Sequence, residues 1–328
     1  MHCNRLIIQL FLAFHSLSAI AQTPADKTAP YPNRPIRLIL PFPPGAATDA
    51  IARVMAPKLA EAMGQQWVVE NRGGAAGNIA TEYVAKQPAD GYTVLFGFST
   101  VLTVNTSLYA AAGFDPIKDF APVTQLATSQ YKLIVHPSVP ARSVKEFVAL
   151  AKAQPGSLNY ASAGAGSPLH LAAELFKSRA GVNMVHVAYK GGGPAATAVL
   201  AGESQLVFSG VANSMDHIKS GRLRALAVTS LKRAQVAPEL PTLHESGYPG
   251  FNVTTWNSLL VPANTSSAII ARLHGETVKI LRNQEVATMI SRAGYETTGS
   301  SPDELSEMIR SESRVWAKVI KDANIRAE

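Results

Sequence analysis

IRLILPFPPGAATDAIARVM, residues 36–55, is the stretch whose reading decides the fold. Ile36–Leu40 is a short apolar run of strand length, and Pro41-Phe42-Pro43-Pro44-Gly45 is a turn that breaks it. From about Asp49 to Met63 the apolar residues fall at helical spacing. Strand, tight turn and helix in that order form the unit of an α/β sheet. The unit recurs. Trp67–Val69 is followed by Gly73-Gly74-Ala75-Ala76-Gly77-Asn78 and a helix to about Lys86, and the turn Asp90-Gly91 precedes strand Thr93–Phe96.

The rhythm resumes at strand Lys132–Val135, helix Ser143–Ala153 and strand Leu158–Ala161. That strand ends in Ser162-Ala163-Gly164-Ala165-Gly166-Ser167, and a helix runs from Pro168 to about Arg179. Strand Met184–Val187, loop Tyr189–Gly193 and helix Pro194–Leu200 follow, then strands Gln205–Phe208 and Leu223–Val228 around a helix near Asn213–Ser220. Strand Thr255–Val261 and three helices, Ser266–Leu281, Glu285–Arg292 and Pro302–Asn324, close the chain. Such alternation predicts a parallel sheet covered on both faces. The last helix carries Leu305, Met308, Ile309, Val315, Trp316, Val319 and Ile320 as a core stripe.

The C-terminal helices have no sheet of their own to cover, so the second α/β unit reads as inserted into the first. Residues 22–34 form a lead-in, residues 31–128 with 230–328 one domain, and residues 129–229 the other. Two crossing strands then make a hinge, with a cleft between the domains.

Arg5, the apolar run Leu6–Leu17 and the small residues Ala19-Ile20-Ala21 have the layout of a secretory signal peptide, cleaved near Ala21/Gln22. Export to the periplasm is the expectation. Cleavage removes the only cysteine, Cys3, so neither a disulfide nor thiol chemistry is available to the rest. The formal net charge of +7 is spread thinly, with no basic run interleaved with aromatics. A nucleic-acid partner is not expected from that pattern, while a mild field favouring small anions is.

Two loops carry the candidate chemistry. One runs through Gly45, Ala46, Ala47 and Thr48 into Asp49; the other runs from Ser162, Ala163 and Gly164 to Ser167. Each ends a strand and opens a helix, leaving backbone N–H groups and the positive end of the helix dipole free for an anion. Ser167 followed by Pro168 is a strong helix start. Asp49 reads as a structural cap or, if it faces the cleft, as an acceptor for a ligand's ammonium or hydroxyl. His170, in the first helical turn, is expected to be neutral and to bond a carboxylate or a neighbouring loop.

Catalytic templates are missing. There is no G-x-S-x-G elbow, no dinucleotide loop, no phosphate-binding G-x-x-x-x-G-K-[S/T] and no H-E-x-x-H. No enzyme activity, cofactor or metal is expected, and a hydrolase using Ser167 with His170 is the weaker alternative.

Several motifs resemble, in order, those of the solute receptors of tripartite tricarboxylate transporters, the Bug family. They are Tyr31-Pro32…Pro35-Ile36-Arg37, Pro41-Phe42-Pro43-Pro44-Gly45…Thr48-Asp49, Val69-Glu70-Asn71-Arg72…Gly77-Asn78-Ile79 and Asp90-Gly91-Tyr92-Thr93. Asn105…Leu108-Tyr109, Phe114–Val123, Ser162–Leu171, Tyr189-Lys190-Gly191 and Gly221–Ser230 complete the series. The resemblance implies a two-domain type II periplasmic-binding-protein fold that closes on a small carboxylate. It implies membrane transporter subunits as partners, with a sensor protein as the alternative, and a monomeric receptor. Gly45–Thr48 and Ser162–Ser167 become the ligand loops, and His170 and Tyr189 wall residues. Phe42 joins Tyr189 against the ligand's body, and Ser99 and Ser209 complete the candidate set. The chain departs from the family at Ala46, at Ala76 and at Ser209, where the family usually has Gly, Gly and Asp. Ser209 argues against an α-amino acid and for a plain carboxylate.

Overall fold

The computed structural model describes residues 30–210, 214–235 and 237–326. The signal-peptide reading therefore lies outside the described residues, as does Asn213 of one expected helix. Among the described residues, no helix is long and apolar enough to cross a membrane.

The first strands and helices are β1 (Ile36–Leu40), α1 (Ala47–Met63), β2 (Trp67–Asn71), α2 (Asn78–Ala85) and β3 (Thr93–Phe98). Short helices α3 (Ser99–Thr103) and α4 (Asn105–Leu108) lead to the long strand β4 (Phe120–Val135). The second group comprises α5 (Val144–Ala153), β5 (Asn159–Ser162), α6 (Pro168–Ala180), β6 (Val185–Ala188), α7 (Gly192–Leu200), β7 (Leu206–Gly210), α8 (Met215–Lys219) and β8 (Arg224–Val228). The chain ends with β9 (Thr254–Pro262), α9 (Ser267–Leu281), α10 (Gln284–Arg292), β10 (Glu296–Thr297) and α11 (Pro302–Asp322).

The α/β class is as expected, but the sheet is mixed where a parallel one was predicted. Its order is β2-β1-β3-β9-β4-β7-β5-β6, with β8 and β10 also on β4. The β1–β2, β1–β3, β5–β6 and β5–β7 pairs are parallel. Every pair made by β4 or β9 is antiparallel. The cause is β4 itself. Its Phe120–Gln130 half pairs with β9, and its Tyr131–Val135 half pairs with β7 and β8. The sequence showed only Lys132–Val135, because Pro122, Thr124, Gln125 and Thr128 interrupt the apolar run and Pro122 sits at a register shift.

Each group of strands has its own core. Ile36, Leu38 and Leu40 pack with Ile51, Met55 and Leu59 of α1 and with α9 and α10, while Ile39, Leu95 and Trp256 face the other side with Leu305 and Ile309. The second core gathers Leu133, Phe147, Tyr160, Phe176 and Phe208, and Trp316, Val319 and Ile320 join it. Helix α11 thus enters one core with its first turns and the other with its last. Most of its expected stripe is buried, but Met308 is only partly so and Val315 is 39% exposed, because the stripe turns as the helix changes partners.

Between those two anchor points, Trp256 Nε1–H donates to both carboxylate oxygens of Glu312 at 3.0 and 3.1 Å. Burial pushes the Glu312 carboxyl up to about 7, with the Trp256 bond pulling the other way. A raised folded-state value favours folding at low pH, and that contribution is lost as pH rises through about 7. Relative to Glu312→Gln, the wild type should lose on the order of 3 kcal/mol between pH 5 and pH 8. Thermal melts of both proteins across that range check this.

Candidate functional site

The loop after β1 is held by its own carboxylate. Asp49, 5% exposed, accepts from Gly45 N–H at 3.1 Å, Arg53 Nε at 3.0 Å and Asn71 Nδ2 at 3.0 Å. Asn71 Nδ2 also donates to Phe42 O at 3.0 Å, tying β2 to the loop. The Arg53 bond, assisted by Gly45 and Asn71, holds the Asp49 carboxyl down at about 2. Asp49 is therefore a structural brace, and the amide of Gly45 is occupied by it. The next amides, at Ala46 to Thr48, begin α1, where no intrahelical partner exists. Thr48 is 4% exposed, and its Oγ1 has no hydrogen-bond partner.

The second loop is braced from behind by stacked rings. Ser167 caps α6 by accepting from His170 N–H at 3.3 Å, with Pro168 opening the helix. His170 Nδ1 accepts from Gly166 N–H at 3.0 Å, which requires its ring proton to sit on Nε2. The His170 and His186 rings stack at 3.9 Å and 7°, and Tyr160 stacks on His186 at 4.9 Å. Ser162 Oγ is 2.6 Å from His186 Nε2 and accepts from Gly164 N–H at 3.1 Å. Glu174 accepts from Tyr160 OH at 2.5 Å and Lys177 Nζ at 2.7 Å. Burial, then the neighbouring His186, pulls His170 down to about 4, so it is neutral as expected. Its partner is the loop, and the Ser167 hydroxyl meets the His170 backbone and not its ring. No nucleophile–base bond forms there.

Two chambers open beside these loops. The larger, about 460 Å³, is reached by Ala46, Ala47 and Thr48 of one loop and by Ala165, Gly166, Ser167 and Pro168 of the other. Phe42, Phe98, Leu108, Tyr109 and Tyr295 give it apolar walls, and Thr100 and Asn105 add polar groups. The smaller, about 280 Å³, carries hydroxyl-bearing Ser129, Tyr131, Ser209, Thr255 and Tyr295. Among the described residues, no Lys, Arg, His, Asp or Glu lines either chamber. Among the described residues there is also no cluster of metal-ligating side chains.

Of the residues expected from sequence, the larger chamber gathers Phe42, Ala46, Ala47, Thr48 and Ser167, and the smaller holds Ser209. Gly45, Asp49, Ser162, Ala163, Gly164, His170 and Tyr189 line neither. Gly45 and Ser162 are engaged in the braces just described. Tyr189, expected as a wall, packs beside the core of Ile134, Ala161 and Val207, its hydroxyl 3.5 Å from that of Ser204. Ser99 lies behind the site and accepts from Trp256 N–H at 3.4 Å. Sequence reading missed Phe98, Thr100, Asn105, Leu108, Tyr109 and Tyr295. The first five sit at or beyond the end of β3, where two short helices carry no amphipathic signature.

The state of His170 should show in stability. Because its folded-state value is depressed, its contribution is present above about pH 6.5 and is lost as pH falls toward 4. His170→Gln, which does not titrate, should give a flatter melting-temperature profile across pH 4–6.5 than the wild type. Parallel profiles would contradict the assignment.

Comparison with known proteins shows the family and the fold. Residues 51–325 match the model of the tripartite tricarboxylate transporter family receptor. The chain is 34% identical over 327 residues to protein BugT of Bordetella pertussis, covering 99% of each chain. A protein of R. palustris solved with adipate superposes with a TM-score of 0.73 at 35% identity, covering 90% of this chain and 99% of that one. A second, from Rhodopseudomonas palustris with bound malate, gives 0.69 at 28% identity, covering 88% and 100%.

Proposed function

The chain belongs to the family of tripartite tricarboxylate transporter receptors, and from that premise we propose that it is an exported, periplasmic solute-binding receptor that captures a small organic carboxylate and presents it to the membrane subunits of such a transporter. One observation carries the reading. The N-terminal ends of α1 and α6 both reach the larger chamber, and among the described residues no charged side chain competes there for an anion. Backbone amides and helix dipoles then supply the attraction. The hydroxyl of Thr48, buried without a partner on that chamber, is the kind of group a ligand oxygen satisfies. Adipate and malate in the two R. palustris relatives agree with a carboxylate.

Capture works by closure of two units, residues 31–128 with 230–328 and residues 129–229, about the crossing through β4. Closing removes water from the chamber and strengthens each amide contact. The protein binds and releases its ligand unchanged. The ring of His170 is held by Gly166, so the serine beside it has no base.

The test is a thermal-shift titration of the chain from Gln22 onward with succinate, adipate, citrate, benzoate and glutamate. A ligand that binds only the folded state raises the melting temperature with ln(1 + [L]/Kd). A rise with plain carboxylates is expected; a response to the amino acid alone would overturn the reading. Thr48→Val should leave the unliganded protein as stable or more so, because it removes an unsatisfied buried hydroxyl. The same variant should weaken carboxylate binding about tenfold, equivalent to about 1.4 kcal/mol.

A further inference from the structure

The two chambers are neighbours with a common wall. Among the described residues, only Ala47, Phe98 and Tyr295 line both. Ala47 is a methyl group on α1 and separates little. Phe98 is fixed edge-on against Phe42, centroids 5.1 Å apart at 89°. Tyr295 is the large side chain that comes from elsewhere in the chain, between α10 and β10. Its backbone is pinned on both sides. Gly294 turns with φ +82°, a conformation that favours glycine, and the next residue, Glu296, pairs with Thr128 of β4. Its backbone N–H donates to Ile290 O at 3.3 Å, and Tyr131 and Thr255 line the smaller chamber with it. A ring so anchored is a partition.

The chambers on either side differ in chemistry. The larger combines the amide-bearing loops with aromatic and aliphatic walls; the smaller is built largely from hydroxyls and glycines. A carboxylate held at the loops therefore has room for an apolar body in the chamber that Tyr295 lines. We propose that Tyr295 is the specificity-determining residue of the site, a partition that sets ligand length by ending the larger chamber, so that the receptor takes a compact carboxylate whose apolar body lies against Phe42, Phe98 and Leu108. The proposal rests on the carboxylate-receptor reading. A ligand extending past the partition must displace the Tyr295 ring from between the two chambers, which costs affinity.

The experiment measures dissociation constants by calorimetry for linear dicarboxylates of four to ten carbons, with benzoate and phenylacetate as compact ring acids. Wild type is compared with Tyr295→Phe, Tyr295→Ala and Tyr295→Trp. In Tyr295→Ala the preferred chain should lengthen by at least two methylenes, and the ratio of long-chain to ring-acid affinity should rise at least tenfold. Tyr295→Phe should keep the wild-type preference, because it keeps the ring, and Tyr295→Trp should shift it to shorter acids. Melting temperatures of the unliganded variants identify any that fail to fold, and the Phe and Trp variants still test the idea if Ala does not fold. An unchanged length preference in the variants, with carboxylates binding the wild type, overturns the partition alone. Failure of the wild type to bind any acid of the series, with binding of a neutral solute, overturns the receptor reading and the partition with it.

Discussion

Hydrogen bonding along β4 is the interaction on which the rest of the molecule depends. Four other strands pair with it, and its two halves serve different groups of strands. Because an antiparallel ladder fixes register residue by residue, the position of β9 on one half and of β7 and β8 on the other is fixed together. Cores, helices and loops on both sides inherit their placement from that shared strand. Tyr131, where the strand passes from one set of partners to the other, lines the smaller chamber, so site and crossing are the same place.

The site follows a consistent division of labour. Charged and ionisable groups stand behind the two chamber loops, where Asp49 with Arg53 and Asn71 braces one loop and His170 with His186 and Glu174 braces the other. Groups that face the chamber are small, hydroxylic or apolar, with the amide of Asn105 beside them. An anion placed there meets oriented amides and no fixed countercharge, so recognition depends on loop geometry and shape. Such a site suits a receptor that must release its ligand, because no buried ion pair has to be broken.

What the sequence made legible was whatever short-range patterning encodes. Ile36–Leu40 shows as an apolar run interrupted only by Arg37 because both faces of β1 are largely buried, and α6 announces itself through Ser167-Pro168, a cap followed by a residue preset for the first turn. The first half of β4 was invisible because it lies in a curled region with polar residues and a proline, its order imposed by β9 from far along the chain. The same limit applied to the site. Phe42, Thr48 and Ser167 lie on loops with a readable start signal, while Tyr295 reaches the chamber only because β10 pairs with β4, a contact across about half the chain. His170 was read correctly as neutral, but the ring stack that commits it to the loop is formed with His186 on another strand.

The order of assembly follows from the way the strands are threaded. Strands β5 to β8 are contiguous in the chain, whereas β3 lacks its inner neighbour until β9 has been made, and α11 joins the two cores only at the end. In a polypeptide emerging from its amino terminus, the portion that starts later is the one that can be completed sooner. The earlier strands wait with one edge of β3 unpaired, a surface open to mispairing. That delay suits the proposed export of the chain, since a precursor that cannot finish folding stays threadable.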